Sequence, residues 1–268
     1  MKDRTEGFIS LPILCVGSML LLLVGASFST LITKRAKSFQ APNVESTTSF
    51  TLVSEEKSGE DLILRFQNTT ALTITAYTLS LGQQKIGADF FSNTAQKGIA
   101  PTAIEEVRIP LINLSTQSQN KIIVLTVVFE DHTAEGDVQA ARVIFDRRQG
   151  YATQMRRIRS LLIEAADSPL KGGSTTPDSL LKRVKDAVSS LPEKDANRTS
   201  TGMKSGLNFA KQWTIKQIAR LEAGELDIEL QRSPHIPRRA VELPQSLAKA
   251  TMGLEYIVDK IDEIVTKL

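Results

Sequence analysis

The chain is predicted to be an α+β multidomain protein: an N-terminal antiparallel β-sandwich, immunoglobulin or fibronectin type III-like (Ig/FN3-like), followed by a mainly α-helical C-terminal region. Three observations carry that expectation. Short segments rich in β-branched residues, separated by turn signals, follow one another from Phe50 to Glu130. Behind Glu130 the apolar period changes from every second residue to every third or fourth. Ahead of both lies Phe8 to Ile32, which is 25 residues without a charge.

A length of 268 residues allows one large or two modest domains that bury a core without metal or disulfide staples. The partition expected is 1–33 as signal peptide or transmembrane anchor, 34–48 as linker, 49–136 as β-sandwich and 137–268 as helical domain. Helices are placed at about 137–167, 176–191, 202–223 and 245–268. The net charge of +3 conceals an asymmetry: +3 over residues 1–40, −6 over 41–137 and +6 over 138–268. An acidic β-region and a basic helical region attract one another or different partners.

The apolar stretch has the length of a bilayer crossing, with Leu20 to Val24 its most apolar part. Two readings stay open: cleavage after Ala26 behind Val24-Gly25-Ala26, or an uncleaved helix with Lys34, Arg35 and Lys37 at the interface. The body of the protein is expected outside the cytoplasm, membrane-anchored or secreted. Orientation is weakly set, because Lys2 and Arg4 balance the basic residues on the other side. Cys15, the one cysteine, excludes an intramolecular disulfide. Leu14 before it argues against lipid attachment.

Ser38 to Ser49 reads as a polar tether. Strands are expected at Phe50–Ser54, Leu62–Gln67, Leu72–Leu81, Lys85–Phe91, Ile104–Leu111 and Lys121–Glu130. Leu62, Leu64 and Phe66 alternate with Arg65 and Gln67. Pro110 suits an edge strand or a strand end. Ile122 to Phe129 is apolar on both alternating sets, the signature of a central strand. A β-barrel is the alternative arrangement.

The turn from Glu130 to Asp137 holds four carboxylates and His132. Calcium on Asp131, Glu135 and Asp137 is one reading, since a hard cation takes several oxygens from one loop. The favoured reading has Gly136 turning the chain and Asp137 capping the next helix. His132 and His235 are too few and too far apart for a histidine metal site or a Ser-His-Asp arrangement. No catalytic, cofactor-binding or metal-binding residue is therefore named, and no cofactor is expected.

Thr75-Ala76-Tyr77, Val127-Val128-Phe129-Glu130-Asp131, Glu135-Gly136-Asp137 and Asp146-Arg147-Arg148 together resemble a group of uncharacterised bacterial envelope proteins. In that group an export segment precedes an Ig/FN3-like β-domain and a helical tail. The resemblance spans Ser49 to Ile158 and implies an envelope protein. It transfers no catalytic or binding residue, because the group has no assigned activity.

From Val138 the residues Ala141, Ile144, Phe145, Ala152, Met155, Ile158, Leu162 and Ala165 share a helical face. Gly150 predicts a kink or break, since glycine in a helix interior costs about 1 kcal/mol against alanine. Arg142, Arg147, Arg148, Arg156, Arg157 and Arg159 lie opposite. Contact with lipid or nucleic-acid phosphates is one reading of them. A solvated face, or pairing with the acidic β-region, is preferred because no nucleic-acid motif accompanies them.

Thr176, Pro177 and Asp178 form a helix start, followed by the stripe Leu180, Leu181, Val184, Val188 and Leu191. Gly172-Gly173-Ser174-Thr175 lacks the lysine and the strand of a phosphate loop and reads as linker. Met203, Leu207, Ala210, Thr214, Ile218 and Leu221 share the next face, with Trp213 read as an anchor between helices. Residues 225–230 alternate like a strand or are the frayed end of that helix. In the last helix Leu247, Leu254, Ile257, Val258, Ile261, Ile264, Val265 and Leu268 form a face for the other helices, a partner chain or self-association.

The function expected is a non-enzymatic secreted or membrane-anchored envelope protein acting as an interaction or structural module. The alternative is a hydrolytic or metal-dependent enzyme with its site at the acidic turn, built on Glu130, Asp131, His132 and Glu135. Binding of anionic lipid or nucleic acid by the arginine-rich helix is the third reading.

Overall fold

A computed structural model describes residues 43–82, 84–92, 97–112, 121–171, 176–193, 200–232 and 243–268. They belong to one compact unit spanning 42–268. Sheets of mainly antiparallel strands are N-terminal and helices C-terminal.

Among the described residues eight strands come first: β1 (Asn43–Glu45), β2 (Phe50–Ser58), β3 (Asp61–Asn68), β4 (Ile74–Leu81), β5 (Gln84–Asp89), β6 (Ile104–Pro110), β7 (Lys121–Phe129) and β8 (Ala134–Gly136). One sheet is ordered β2-β3-β6; the other is β1-β7-β4-β5, with β8 also pairing β7. β7 is flanked on both sides, as expected of an apolar run broken only by Thr126. β4 takes one side along its length, while β1 pairs Lys121–Ile123 in parallel and β8 pairs Thr126–Val128. Pro110 ends β6, an edge strand, where its missing N–H costs no ladder bond.

β2 runs on past Ser54 through Glu55, Glu56 and Lys57, which the alternation of apolar residues does not reveal. Those charged residues are exposed at a sheet edge, and Gly59 at φ +61° makes the turn into β3. Phe50, Leu64, Phe66 and Ile109 from one sheet and Ile74, Leu79, Ile122 and Val124 from the other form one apolar cluster.

Among the described residues five α-helices follow: α1 (Val138–Asp167), α2 (Pro177–Ser190), α3 (Thr201–Glu222), α4 (Asp227–Arg232) and α5 (Gln245–Val265). Thr176 caps α2 in a reciprocal box with Ser179, with Pro177 at the first helical position. Residues 225–230 read as either strand or frayed helix end; a separate short helix, Asp227–Arg232, begins within them. Gly224 at φ +73° ends α3, and Leu226 and Leu230 then fall four apart on one buried face. Met155, Ile158, Leu162, Val184, Val188, Ile218 and the apolar face of α5 form a second cluster. The face of α5 offered to either a partner or the other helices is buried within this chain, with Leu254, Ile261 and Ile264 fully enclosed.

Of the kink or break expected at Gly150, the break is corrected: α1 is continuous over 30 residues. A Cβ at Gly150 would overlap the carbonyl oxygen of Met203, and one at Gly206 the carbonyl oxygen of Arg147. Gly150, Gly202 and Gly206 therefore let α1 and α3 approach closely, and these two helices form the most extensive helix–helix interface in the fold. Packing at that short separation outweighs the roughly 1 kcal/mol propensity cost of glycine.

The expectation of a transmembrane helix is also corrected. Among the described residues no helix is long and apolar enough to cross a membrane, and Phe8 to Ile32 lies outside them. Cys15, Gly172 to Thr175 and His235 lie outside them as well.

Candidate functional site

The acidic turn connects β7 to β8 and α1, and each of its carboxylates holds backbone. Glu130 Oε1 accepts from Thr73 N at 3.1 Å. Asp131 Oδ1 accepts from the Thr133 amide at 3.0 Å and its hydroxyl at 2.6 Å. The Thr133 hydroxyl, then its amide, keep the Asp131 carboxyl below its ordinary range. Glu135 Oε1 accepts from Thr48 N and Oγ1 at 2.9 and 2.6 Å. Burial works to raise the Glu135 pKa, but hydrogen bonds from Ser49 and Thr48 outweigh it and leave the group lowered.

Asp137 is the N-cap of α1, with Oδ1 accepting from Ala140 N at 2.6 Å. Gly136 has φ +99°, and a Cβ there would overlap the Leu125 carbonyl oxygen. His132, exposed, sits at φ +66°, a left-handed conformation in which histidine is enriched among non-glycine residues. Its amide donates to Phe129 O at 3.1 Å. The residues read as acid, base and calcium ligands are thus brought together in one turn, where they fix its geometry. Among the described residues no cluster of three His, Cys, Asp or Glu has a metal-binding arrangement.

A second constellation lies where β5 meets α1; pairing of the α1 arginines with the acidic β-region is among the sequence expectations, which do not single out Asp89. Asp89, the last residue of β5, is 6% exposed at its side chain and takes both Arg147 and Arg148. Arg147 Nη2 donates to Oδ2 at 2.7 Å, while Arg148 Nε and Nη2 donate to Oδ1 at 3.1 and 2.9 Å. Arg148 Nη2 also donates to Thr75 O and Oγ1. Its guanidinium lies 5.7 Å from the centroid of Phe91. Phe90 and Phe91, expected to continue the strand, form a 3₁₀ turn instead. Phe90 joins the strand cluster and Phe91 the helix cluster, edge-on to Tyr151 at 4.8 Å. Asp89 ahead of a Phe-Phe pair and the Arg147-Arg148 pair are each visible in the sequence, but they lie 58 and 59 residues apart.

The arginine-rich face of α1 is therefore divided. Arg147 and Arg148 bind Asp89, Arg159 binds Asp262 of α5 at 2.7 Å, and Arg142 and Arg156 are exposed. Trp213 is partly buried against the helix cluster, in keeping with an anchor.

Two grooves accompany these elements. Between α1 and α2 a groove of about 390 Å³ has an apolar floor of Leu161, Ala165, Val184 and Ala187. Glu164 and Arg183 line it with opposite charges, and Arg183 also donates to Ser168 Oγ at 3.2 Å. The other, of about 190 Å³, lies between β4 and β5 on one side and the first turns of α1 on the other. Comparison of the chain with family models, curated proteins and solved structures finds no match.

Proposed function

We propose that this chain is a non-enzymatic protein of the bacterial envelope, exported with its body outside the cytoplasm, that acts as an interaction or structural module. One observation carries the reading. The carboxylates best suited by sequence to acid-base work, Glu130, Asp131, Glu135 and Asp137, each accept hydrogen bonds from local backbone or from the segments just ahead of β2 and β4. That is the work of a scaffold. The Asp89 node and the Phe90-Phe91 turn add to it by tying the strand and helix cores together.

Within this reading the β-region is a fibronectin type III-like sandwich. Counting from β2, strands one, two and five pair in one sheet and three, four, six and seven in the other. An immunoglobulin constant-type sandwich divides its strands the same way, except that the fourth joins the first sheet. The shared apolar cluster supports the reading, as does Phe50, tilted against Tyr77 of the other sheet at 5.1 Å.

Cross-linking of the full chain in intact cells, followed by fractionation, tests the proposal. The expected result is a discrete adduct with another protein outside the cytoplasm, unchanged by Glu130→Gln, Asp131→Asn and His132→Ala together, which remove the acid-base groups and keep the side-chain acceptors. Recovery only as a cytoplasmic monomer without an adduct overturns it.

A further inference from the structure

The sheets of this protein differ in how their edges are protected. β2 carries a bulge between Leu52 and Ser54 and the charged run Glu55, Glu56, Lys57. β6 carries Glu105, Glu106 and Arg108 and ends in Pro110. The edge of β7 is covered by β1 and β8, each three residues long. Bulges, charges, proline and very short strands are the devices that stop a further strand from pairing. β5 has none of these over Gln84 to Ala88 except Lys85, and β4 is its one strand neighbour among the described residues.

The orientation of its free backbone groups follows from register. Leu81 and Gln84 close the β4–β5 hairpin. The closing pair of a two-residue hairpin is hydrogen-bonded, and pairs alternate from there. The N–H and C=O groups of Lys85, Gly87 and Asp89 consequently point away from β4, toward the open side.

Beside this edge runs the smaller groove, lined by Thr78, Lys85 and Gly87 from the sheet and by Ala140, Val143 and Arg147 from α1. Its volume of about 190 Å³ admits one or two side chains. Sites that enclose a whole small ligand run to about 300–1,000 Å³. Val143 presents an apolar wall, 50% exposed. The lining includes Lys85, which is exposed, and Arg147, which shares the Asp89 carboxylate with Arg148, so cations outnumber the one carboxylate at this edge. By contrast, the charges on the α1–α2 groove offset one another.

We infer that β5 accepts an extended acidic segment of a partner protein as a further strand, with an acidic side chain of that segment reaching Lys85 and Arg147 in the groove. Main-chain pairing supplies affinity in this mode, and the pocket for alternate side chains supplies specificity. The inference rests on the interaction-module reading and names the surface that module uses.

The probe is a fluorescent eight-residue peptide alternating aspartate and valine, titrated with the full chain and followed by anisotropy. Saturable binding is expected, weakened tenfold or more by Lys85→Pro, which removes an outward N–H and leaves the β4 ladder intact. Lys85→Glu should weaken it similarly while keeping the backbone intact, so it serves if the proline variant fails to fold. Lys182→Glu on α2 should bind like the wild type. Hydrogen exchange at the Lys85 and Gly87 amides should slow with peptide bound. Absence of saturable binding, or equal binding by wild type and Lys85→Glu, overturns the inference. In the cellular cross-linking experiment, an adduct that survives Lys85→Glu overturns the β5 surface and leaves the module reading standing; absence of an adduct from the wild type overturns the module reading itself.

Discussion

Asp89 and Arg148 meet through one oxygen: Oδ1 accepts from both Nε and Nη2 of Arg148, at 3.1 and 2.9 Å, with both side chains under a tenth exposed. Oδ2 is left for Arg147. Removing one member of such a pair leaves an uncompensated buried charge, at a cost of about 3–5 kcal/mol. Asp89→Ala is expected to lose that much in urea unfolding. The double variant Asp89→Leu, Arg148→Met should lose less than Asp89→Ala alone, because no buried charge is stranded. Lys121→Ala, which breaks the exposed pair with Glu45, should cost under about 1 kcal/mol.

Gly206 and Gly59 separate two reasons for being glycine. At Gly206 an added methyl group would overlap backbone atoms of α1, the Arg147 carbonyl and the Tyr151 amide, which cannot rotate aside. At Gly59 nothing lies within 4 Å, and only the φ of +61° is unfavourable. Gly206→Ala is therefore expected to lose about 3 kcal/mol, the upper end for overpacking. Gly59→Ala should lose about 1 kcal/mol from left-handed backbone strain. Equal losses in chemical denaturation would mean that the α1–α3 approach is not set by the glycines.

What is legible in the sequence is what period and capping chemistry encode locally. β3, β4 and β7 are visible because one or both of their faces are apolar, and α2 because Thr176, Pro177 and Asp178 mark its start within three residues. β1 and β8 are not visible: three residues are too short to show a period, and they are strands only because β7 pairs with them. Gly150 misleads for a similar reason. Its partner, Met203, is supplied by another helix, so a helix-breaking residue locally is a packing residue in the fold. In the acidic turn the residue set is legible but its use is not, since Thr73 and Thr48, which engage Glu130 and Glu135, lie far away in the chain.

Tyr151 is fully enclosed, between Phe91 at 4.8 Å and Phe209 at 5.6 Å. Its hydroxyl has no hydrogen-bond partner among the described residues, and burial pushes its pKa up, so the phenol stays neutral. A buried hydroxyl without a partner carries a desolvation penalty that phenylalanine does not. Tyr151→Phe is expected to be neutral or to stabilise by about 1 kcal/mol in thermal unfolding. A loss of more than that would show that the hydroxyl has a partner.

Glu263 gives the helical region a pH dependence whose sign can be worked out. Hydrogen bonds from Lys267 at 2.8 Å and Lys260 at 2.9 Å hold its carboxyl well below its ordinary 4.5, down to about 2. Because the folded-state value is depressed, the stabilisation is fully present above about 4.5 and is lost as the pH falls through about 2. The three side chains are 35–41% exposed, so solvent screens both pairs and each is worth about 0.2–1 kcal/mol at neutral pH. Glu263→Gln should therefore be slightly less stable than the wild type at pH 7 and indistinguishable from it near pH 2. The gap at pH 7 should shrink in high salt. An NMR titration of the Glu263 carboxyl reads the same quantity directly, and a midpoint near 4.5 would show that the lysines do not hold it in solution.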